Sequence, residues 1–387
     1  MLKSYKYRIH PTKSQETILN GMLNECGWLY NRILETRNIS FEQNGISLGL
    51  YETQNMIPAW KVERPSLKKV HSLTLQNVNI RVDLAFKAFF RRVKLGETPG
   101  YPRFKGQGRY DSMTFPQYGN GVMLVGNKLN LSKLGSVKVQ LHRDLAGTPK
   151  TVSIRRGSTG KWFVTISCEI ESTPLPAEKK VVGVDVGLAT FATLSNGEKI
   201  SNPRFFRNEA KELAKAQRKL EKETNGTPQR KKRKKVIARI HERIANKRTD
   251  FAHKVSRTLV DNYGVIVFED LNIKGMMGKR TQVFGNKLNK SIADVAWSQL
   301  AQFTSYKAEE AGRMFLQVDP RNTSKRCSRC TMLVDKDLSV RIHNCPHCGL
   351  VLDRDHNAAI NILTLGLQRV NAGSPVVVKA PAFTHGE

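Results

Sequence analysis

Four of the chain's six cysteines fall into two CxxC pairs, Cys327 with Cys330 and Cys345 with Cys348, and 14 residues lie between the pairs. No other feature limits so sharply what this part of the chain can become. Two thiolate pairs at this spacing close a tetrahedral Zn²⁺ site, so a zinc ribbon is expected here rather than an apolar core. Four protein ligands leave no open position, which makes the metal structural. His343 and His347 are alternative ligands within the same segment. The competing chemistry, two redox CxxC pairs, lacks a thioredoxin-like strand–helix context. Cys26 and Cys168 stand alone and read as buried. This usage is metal arithmetic rather than a disulfide framework, so a reducing, cytoplasmic compartment is expected.

The charge balance narrows the partner. Sixty-four Lys and Arg stand against 33 Asp and Glu, a formal net charge of +31 in 387 residues. Cations that neutralise phosphates release condensed counterions, so a chain this basic favours a nucleic acid. A secreted cationic or ribosome-associated protein is the blander alternative. Neither an N-terminal apolar signal core nor a run approaching 18 uninterrupted apolar residues occurs, so no membrane segment is expected. The densest basic run, QRKKRKK at 229–235, offers Lys231, Lys232, Arg233 and Lys234 for phosphate contacts, although a solvated helix face has the same pattern. Trp28, Trp60, Trp162 and Trp297 read as core. No helix-turn-helix or finger array is recognisable.

Residues 2–9 read as a basic strand, after which Pro11 and Thr12 open a helix with apolar positions Ile18, Met22, Cys26, Leu29 and Ile33. A second helical stretch carries Leu75, Val78, Val82 and Phe86, and GYPRFKGQG at 100–108 reads as a hinge. From 111 to 171 the pattern turns to short β-like runs, suggesting a small barrel interrupted by helices. STPLPAEKK at 172–180 is a linker. Beyond it VVGVDVG, LATFATL and a third run across Ser195-Asn196-Gly197 read as strands. Two helices follow, the second capped by Thr227 with a stripe from Ile237 to Leu259. GVIVFED and MFLQVD are further strands. Between them Ser291 and Asp294 resemble a capping box for a helix through Trp297, Leu300 and Phe303. A last short helix, 357–365, is expected to stop at Gly366, and the tail from Gly373 to be loose.

Three acids interrupt this apolar frame. Asp185 lies in VVGVDVG, Glu269 ends GVIVFED, and Asp355 opens the helix after the cysteine segment. A carboxylate in or at the end of an apolar strand is costly unless it is paired or bound to metal. Three that converge repel one another, and Mg²⁺ relieves that repulsion while leaving room for water and phosphate. Two such ions would activate water and stabilise a leaving oxygen. Taken singly, each acid has a duller reading as a turn residue, strand end or cap, and Asp353 competes with Asp355.

The ordered signatures GVDVGLATFAT (183–193), DFAHKVSRTLV (250–260), FEDLNIKGM (268–276) and TSKRCSRC…CPHCG…DRDHNAAINIL (323–363) resemble the TnpB family. These are transposon-encoded RNA-guided DNA endonucleases, related to the compact type V CRISPR effectors. The match is dense in the second half and sparse in the first, where YPRFKG at 101–106 carries it. The resemblance implies an α/β-plus-β architecture: a RuvC-type, RNase H-like nuclease domain with an inserted zinc ribbon, preceded by a wedge β-barrel holding a helical recognition lobe. The implied boundaries are a wedge strand at 1–10, the recognition lobe at 11–110, and the wedge barrel at 111–172. The nuclease parts would be 180–320 and 351–372, with the ribbon at 321–350 and the tail at 373–387. On this pattern Asp185, Glu269 and Asp355 are the Mg²⁺-holding catalytic acids, and Cys327, Cys330, Cys345 and Cys348 are the zinc ligands. The partners would be a guide RNA and double-stranded target DNA in a prokaryotic cytoplasm, at the nucleoid. One residue departs from the pattern: Thr331 follows the first CxxC where the family commonly has Gly, which predicts a strained or reshaped knuckle.

The resemblance leaves three rivals to guided cleavage, namely a compact CRISPR effector, a catalytically silent guided binder and an unguided DNA transposase. The silent binder would be expected to erode the acids, and all three stand.

Overall fold

The computed structural model describes residues 1–277, 282–337 and 339–372; the expected loose tail, 373–387, lies outside them. The chain divides into two compact units, Met1–Glu171 and Ser172–Glu387.

In the first unit, strand β1 (Leu2–His10) alternates buried Tyr5, Tyr7 and Ile9 with outward basic residues. Helices α1 (Lys13–Asn44), α2 (Leu50–Asn55), α3 (Ile57–Glu63) and α4 (Ser72–Lys94) follow. Then come β2 (Ser112–Phe115), β3 (Val122–Val125), β4 (Lys128–Leu131), β5 (Gly135–Gln140), β6 (Thr148–Arg156) and β7 (Trp162–Glu169). The strands form one antiparallel sheet in the order β2-β6-β7-β1-β5-β4-β3. Its ends, β2 and β3, do not pair with each other, so the expected barrel is a curled half-barrel. Thr12 and Gln15 start α1 with a reciprocal capping box, and Gly45 ends it at φ 67°. The buried stripe of α1 runs through Leu19, Met22, Leu23, Cys26, Leu29 and Ile33. Ile18, expected on that stripe, is 43% exposed, because Leu19 and Leu23 set the helix's phase.

The second unit begins with β8 (Val181–Val186), β9 (Thr190–Leu194) and β10 (Lys199–Ser201), an antiparallel meander. Helices α5 (Phe205–Glu221) and α6 (Pro228–Asn262) form a hairpin around Leu213, Ala216, Ile240 and Ile244. They lead to β11 (Val265–Glu269), α7 (Ile273–Met277), α8 (Gln282–Val295), α9 (Trp297–Glu310) and β12 (Met314–Val318). β11 pairs parallel with both β8 and β12, giving the order β10-β9-β8-β11-β12. A small hairpin of β13 (Ile342–Asn344) and β14 (Val351–Asp353) runs directly into α10 (Arg354–Asn371).

Side-chain alternation gives the sheet two different faces. Val182, Val184, Ile266 and Phe268 pack with Val255, Leu259, Trp297 and Leu300 of α6 and α9. Val267, Leu316 and Val318 pack on the other face with Ile362 of α10. That helix comes very close: a Cβ on Gly183 would lie 2.1 Å from the Ala359 carbonyl oxygen, and one on Gly366 2.5 Å from Val267 Cγ2. Gly366, expected to stop the helix, therefore lies inside α10 as a contact point with the sheet. The expected capping box is also corrected. Ser291 and Asp294 lie within α8, and α9 starts after Ala296 at φ 54°. Asp294 instead accepts the Phe206 N–H at 3.0 Å and the Arg248 guanidinium at 2.6 and 2.9 Å, a stronger demand than local capping.

Candidate functional site

The sheet brings two of the expected acids side by side. Val184 and Phe268 are the last residues that β8 and β11 pair with each other, and Asp185 and Glu269 come one residue later. By alternation they share the face of Gly183 and Val267, which is the face that α10 covers. Asp355 lies in the first turn of that helix. Burial, then Glu269, then Asp355, push the Asp185 carboxyl well above its usual range, against the pull of Arg354. Burial likewise raises Glu269, against the Thr323 hydroxyl, whose Oγ1 donates to Glu269 Oε1 at 2.6 Å. Asp355 accepts from Arg354 Nε at 3.0 Å and Nη2 at 2.9 Å. Asp185 feels the charge of both other acids, but the three are not packed ligand to ligand. Among the described residues, the one group of three or more possible metal ligands within 4.8 Å of one another is the cysteine set.

Asp353 has other work. Its carboxylate caps α10 by accepting the N–H groups of Asp355 and His356 at 3.0 Å, and it pairs with Lys199 at 2.7 Å. Burial opposes its ionisation, yet Lys199 and those N–H groups leave its pKa lowered.

The four cysteines meet in a compact cluster, with Cys327 and Cys345 buried. Their sulfurs are 3.6 Å apart for Cys327 and Cys348, and 3.5 Å for Cys330 and Cys345. Burial would raise the thiols, but backbone N–H groups of Arg329 and Cys330 lower Cys327, and those of His347 and Cys348 bring Cys345 to about 7. The Met332 N–H pulls Cys330 down, but burial and the neighbouring sulfurs of Cys345, Cys348 and Cys327 push it up to about 12. Four sulfurs within 4.8 Å of one another fit structural Zn²⁺, which takes them as thiolates. The two turns repeat the same backbone bonds. Thr331 N–H donates to Cys327 O and Cys327 N–H to Met332 O, as Gly349 does to Cys345 O and Cys345 to Leu350 O, all at 2.9–3.0 Å. The first knuckle is thus not reshaped by Thr331; the threonine adopts φ 62°, close to the 69° of Gly349. His343 is buried on β13 with its Nδ1 against Lys336 Nζ, and the cluster is complete without it or His347.

Lys231, Lys232, Arg233 and Lys234 stand exposed on the first turns of α6, with Arg233 Nε 3.2 Å from Glu223. Thr227 caps that helix by accepting the Arg230 N–H. Sequence reasoning missed Thr323, Arg354, Asn357 and Asn361. The i,i+4 asparagines inside an otherwise apolar helix face were the available signal, since Asn357 is fully buried and Asn361 nearly so.

Among the described residues, no helix is long and apolar enough to cross a membrane. Three family patterns match: "Probable transposase" over residues 165–280, "Cas12f1-like, TNB domain" over 297–362, and "Helix-turn-helix domain" over 1–45. In the last stretch the chain forms β1 and one unbroken helix, α1. A "Putative RNA-guided DNA endonuclease" of Streptomyces pristinaespiralis is 34% identical, over 97% of this chain and 92% of that protein. InsQ of Escherichia coli (strain K12), whose name carries the same description, is 32% identical over 94% and 92%. A solved Cas12f1-sgRNA-target DNA complex matches the fold with a TM-score of 0.57 at 16% identity, covering 91% of this chain and 83% of that one. With a third of its residues shared across nearly the whole length of these relatives, the chain belongs to the TnpB family of RNA-guided DNA endonucleases.

Proposed function

We propose that this protein cuts double-stranded DNA selected by pairing with a bound guide RNA, and that Asp185, Glu269 and Asp355 are the Mg²⁺-holding acids of its RuvC-type site. The observation that carries this reading is the placement of three carboxylates at two adjacent strand ends and one helix start on the same face of the sheet, with Asp185 exposed to the charge of both others. Such a cluster resists full ionisation, and a divalent cation with oxygen ligands relieves it, which suits Mg²⁺. When bound, Mg²⁺ supplies an activated water and a counter-charge for the leaving oxygen. Asp355 rather than Asp353 is the third acid, because Asp353 is committed to Lys199 and to the cap of α10.

The antiparallel meander continued by two parallel strands, with helices on both faces, supports the RNase H-like assignment. The zinc ribbon would then be an insertion between β12 and α10. The half-barrel and α1–α4 would serve as wedge and recognition lobe. Lys231, Lys232, Arg233 and Lys234 are proposed phosphate contacts. Four cations near a helix N-terminus with no acid in the first turn oppose the helix dipole, a cost that a polyanion offsets.

Alanine at Asp185, Glu269 or Asp355 should reduce cleavage of a matched duplex to background while leaving RNA and target binding intact. EDTA should stop the wild type and Mg²⁺ restore it. Normal cutting by Asp355→Ala together with none by Asp353→Ala would reverse the choice of third acid.

A further inference from the structure

We infer that Thr323 is the positioning residue for Glu269, and that Asn357 and Asn361 hold it in place by strapping residues 323–328 onto α10. The inference rests on the reading of Glu269 as a metal-holding acid.

Thr323 is buried, and its Oγ1 lies 2.6 Å from Glu269 Oε1 and 3.1 Å from the Pro320 carbonyl. One hydroxyl proton can serve only one of these acceptors at a time, and a carboxylate oxygen is a stronger acceptor than a backbone carbonyl. Donation to Oε1 fixes one oxygen of Glu269 and leaves Oε2 to turn toward Asp185 and Asp355.

The Thr323 backbone is held in turn. Asn361 Nδ2 donates to Thr323 O at 2.8 Å and to Arg326 O at 2.7 Å. One helical turn earlier, Asn357 Nδ2 donates to Arg326 O at 2.8 Å, and its Oδ1 accepts the Ser328 N–H at 2.9 Å. Both asparagine side chains are buried, so these bonds have no competing water. The strap carries Cys327 between Arg326 and Ser328. A single helix therefore registers the first zinc knuckle, the hydroxyl that orients Glu269 and the carboxylate of Asp355.

A positioning hydroxyl of this kind predicts a metal-affinity effect as well as a rate effect. Thr323→Val keeps the shape and removes only the donor. With guide RNA and Mg²⁺, its cleavage rate should fall about 10-fold or more, the usual cost of losing a partner that orients a metal ligand. Mn²⁺ binding to the protein, followed by electron paramagnetic resonance, should weaken by a similar factor. Zinc content should stay at one per chain, and Thr323→Ser should recover most of both losses. Glu269→Gln provides the control that separates the two readings. If Glu269→Gln is inactive and Thr323→Val matches wild type in rate and Mn²⁺ affinity, the positioning role is wrong and the acid site stands. Serine performing no better than valine would also overturn it, since a hydroxyl would then not be what matters. If Glu269→Gln cuts normally, the acid site itself is wrong.

Discussion

Thr331 stands at φ 62° in the first knuckle, where Gly349 stands at 69° in the second. The surrounding backbone bonds are the same, so the difference between the turns is steric. A β-branched residue held in the left-handed region costs on the order of 1–2 kcal/mol, which glycine does not incur. Thr331→Gly should therefore stabilise the ribbon by about 1 kcal/mol, seen as slower zinc loss to a chelator; unchanged or faster loss would contradict this. At the residue scale the cysteines were legible because ligand spacing is short-range and chemically specific. Of the two outcomes expected for Thr331, strain and a changed shape, the left-handed backbone carries the strain, while two backbone bonds keep the shape the same as in the second knuckle. Thr323 was illegible because its partner Glu269 lies 54 residues away, and nothing local marks the hydroxyl.

Among the elements, α10 ties the acid site to the sheet of the second unit. It starts at the cap of Asp353, presents Asp355 in its first turn, and lies against β8 where Gly183 leaves room for its backbone. A methyl on Gly183 would meet the Ala359 carbonyl and the Leu363 amide, neither of which can rotate away. Gly183→Ala should lower unit stability by about 1–3 kcal/mol through overpacking, and depress cleavage by shifting Asp355. A thermal midpoint equal to wild type would contradict the packing described. The periodicity of long helices was readable here, as with α6 from Ile237 to Leu259. Phase and termini were less so. Ile18 looked like core until Leu19 set the phase, Gly366 looked like a stop, and the Ser291–Asp294 box gave way to Arg248 and the Phe206 N–H. In each case a tertiary contact outweighed a local preference of a few tenths to one kcal/mol.

At the scale of the whole molecule, the excess of 31 positive charges fits a chain built to hold nucleic acid, and three of its 33 acids meet where chemistry is proposed. Net charge and motif order were legible without coordinates, because both survive any arrangement of the chain. The open edge of the first sheet was not, since strand runs of equal length close or stay open according to pairings the sequence does not state. The most direct measurement follows cleavage of duplex DNA in Mg²⁺ by purified protein, with and without its cognate RNA. Cutting should occur only when RNA is present and its guide segment matches the duplex, with none by Asp185→Ala under the same conditions. Efficient sequence-specific cutting by RNA-free protein would contradict guided cleavage and favour an unguided transposase or nuclease.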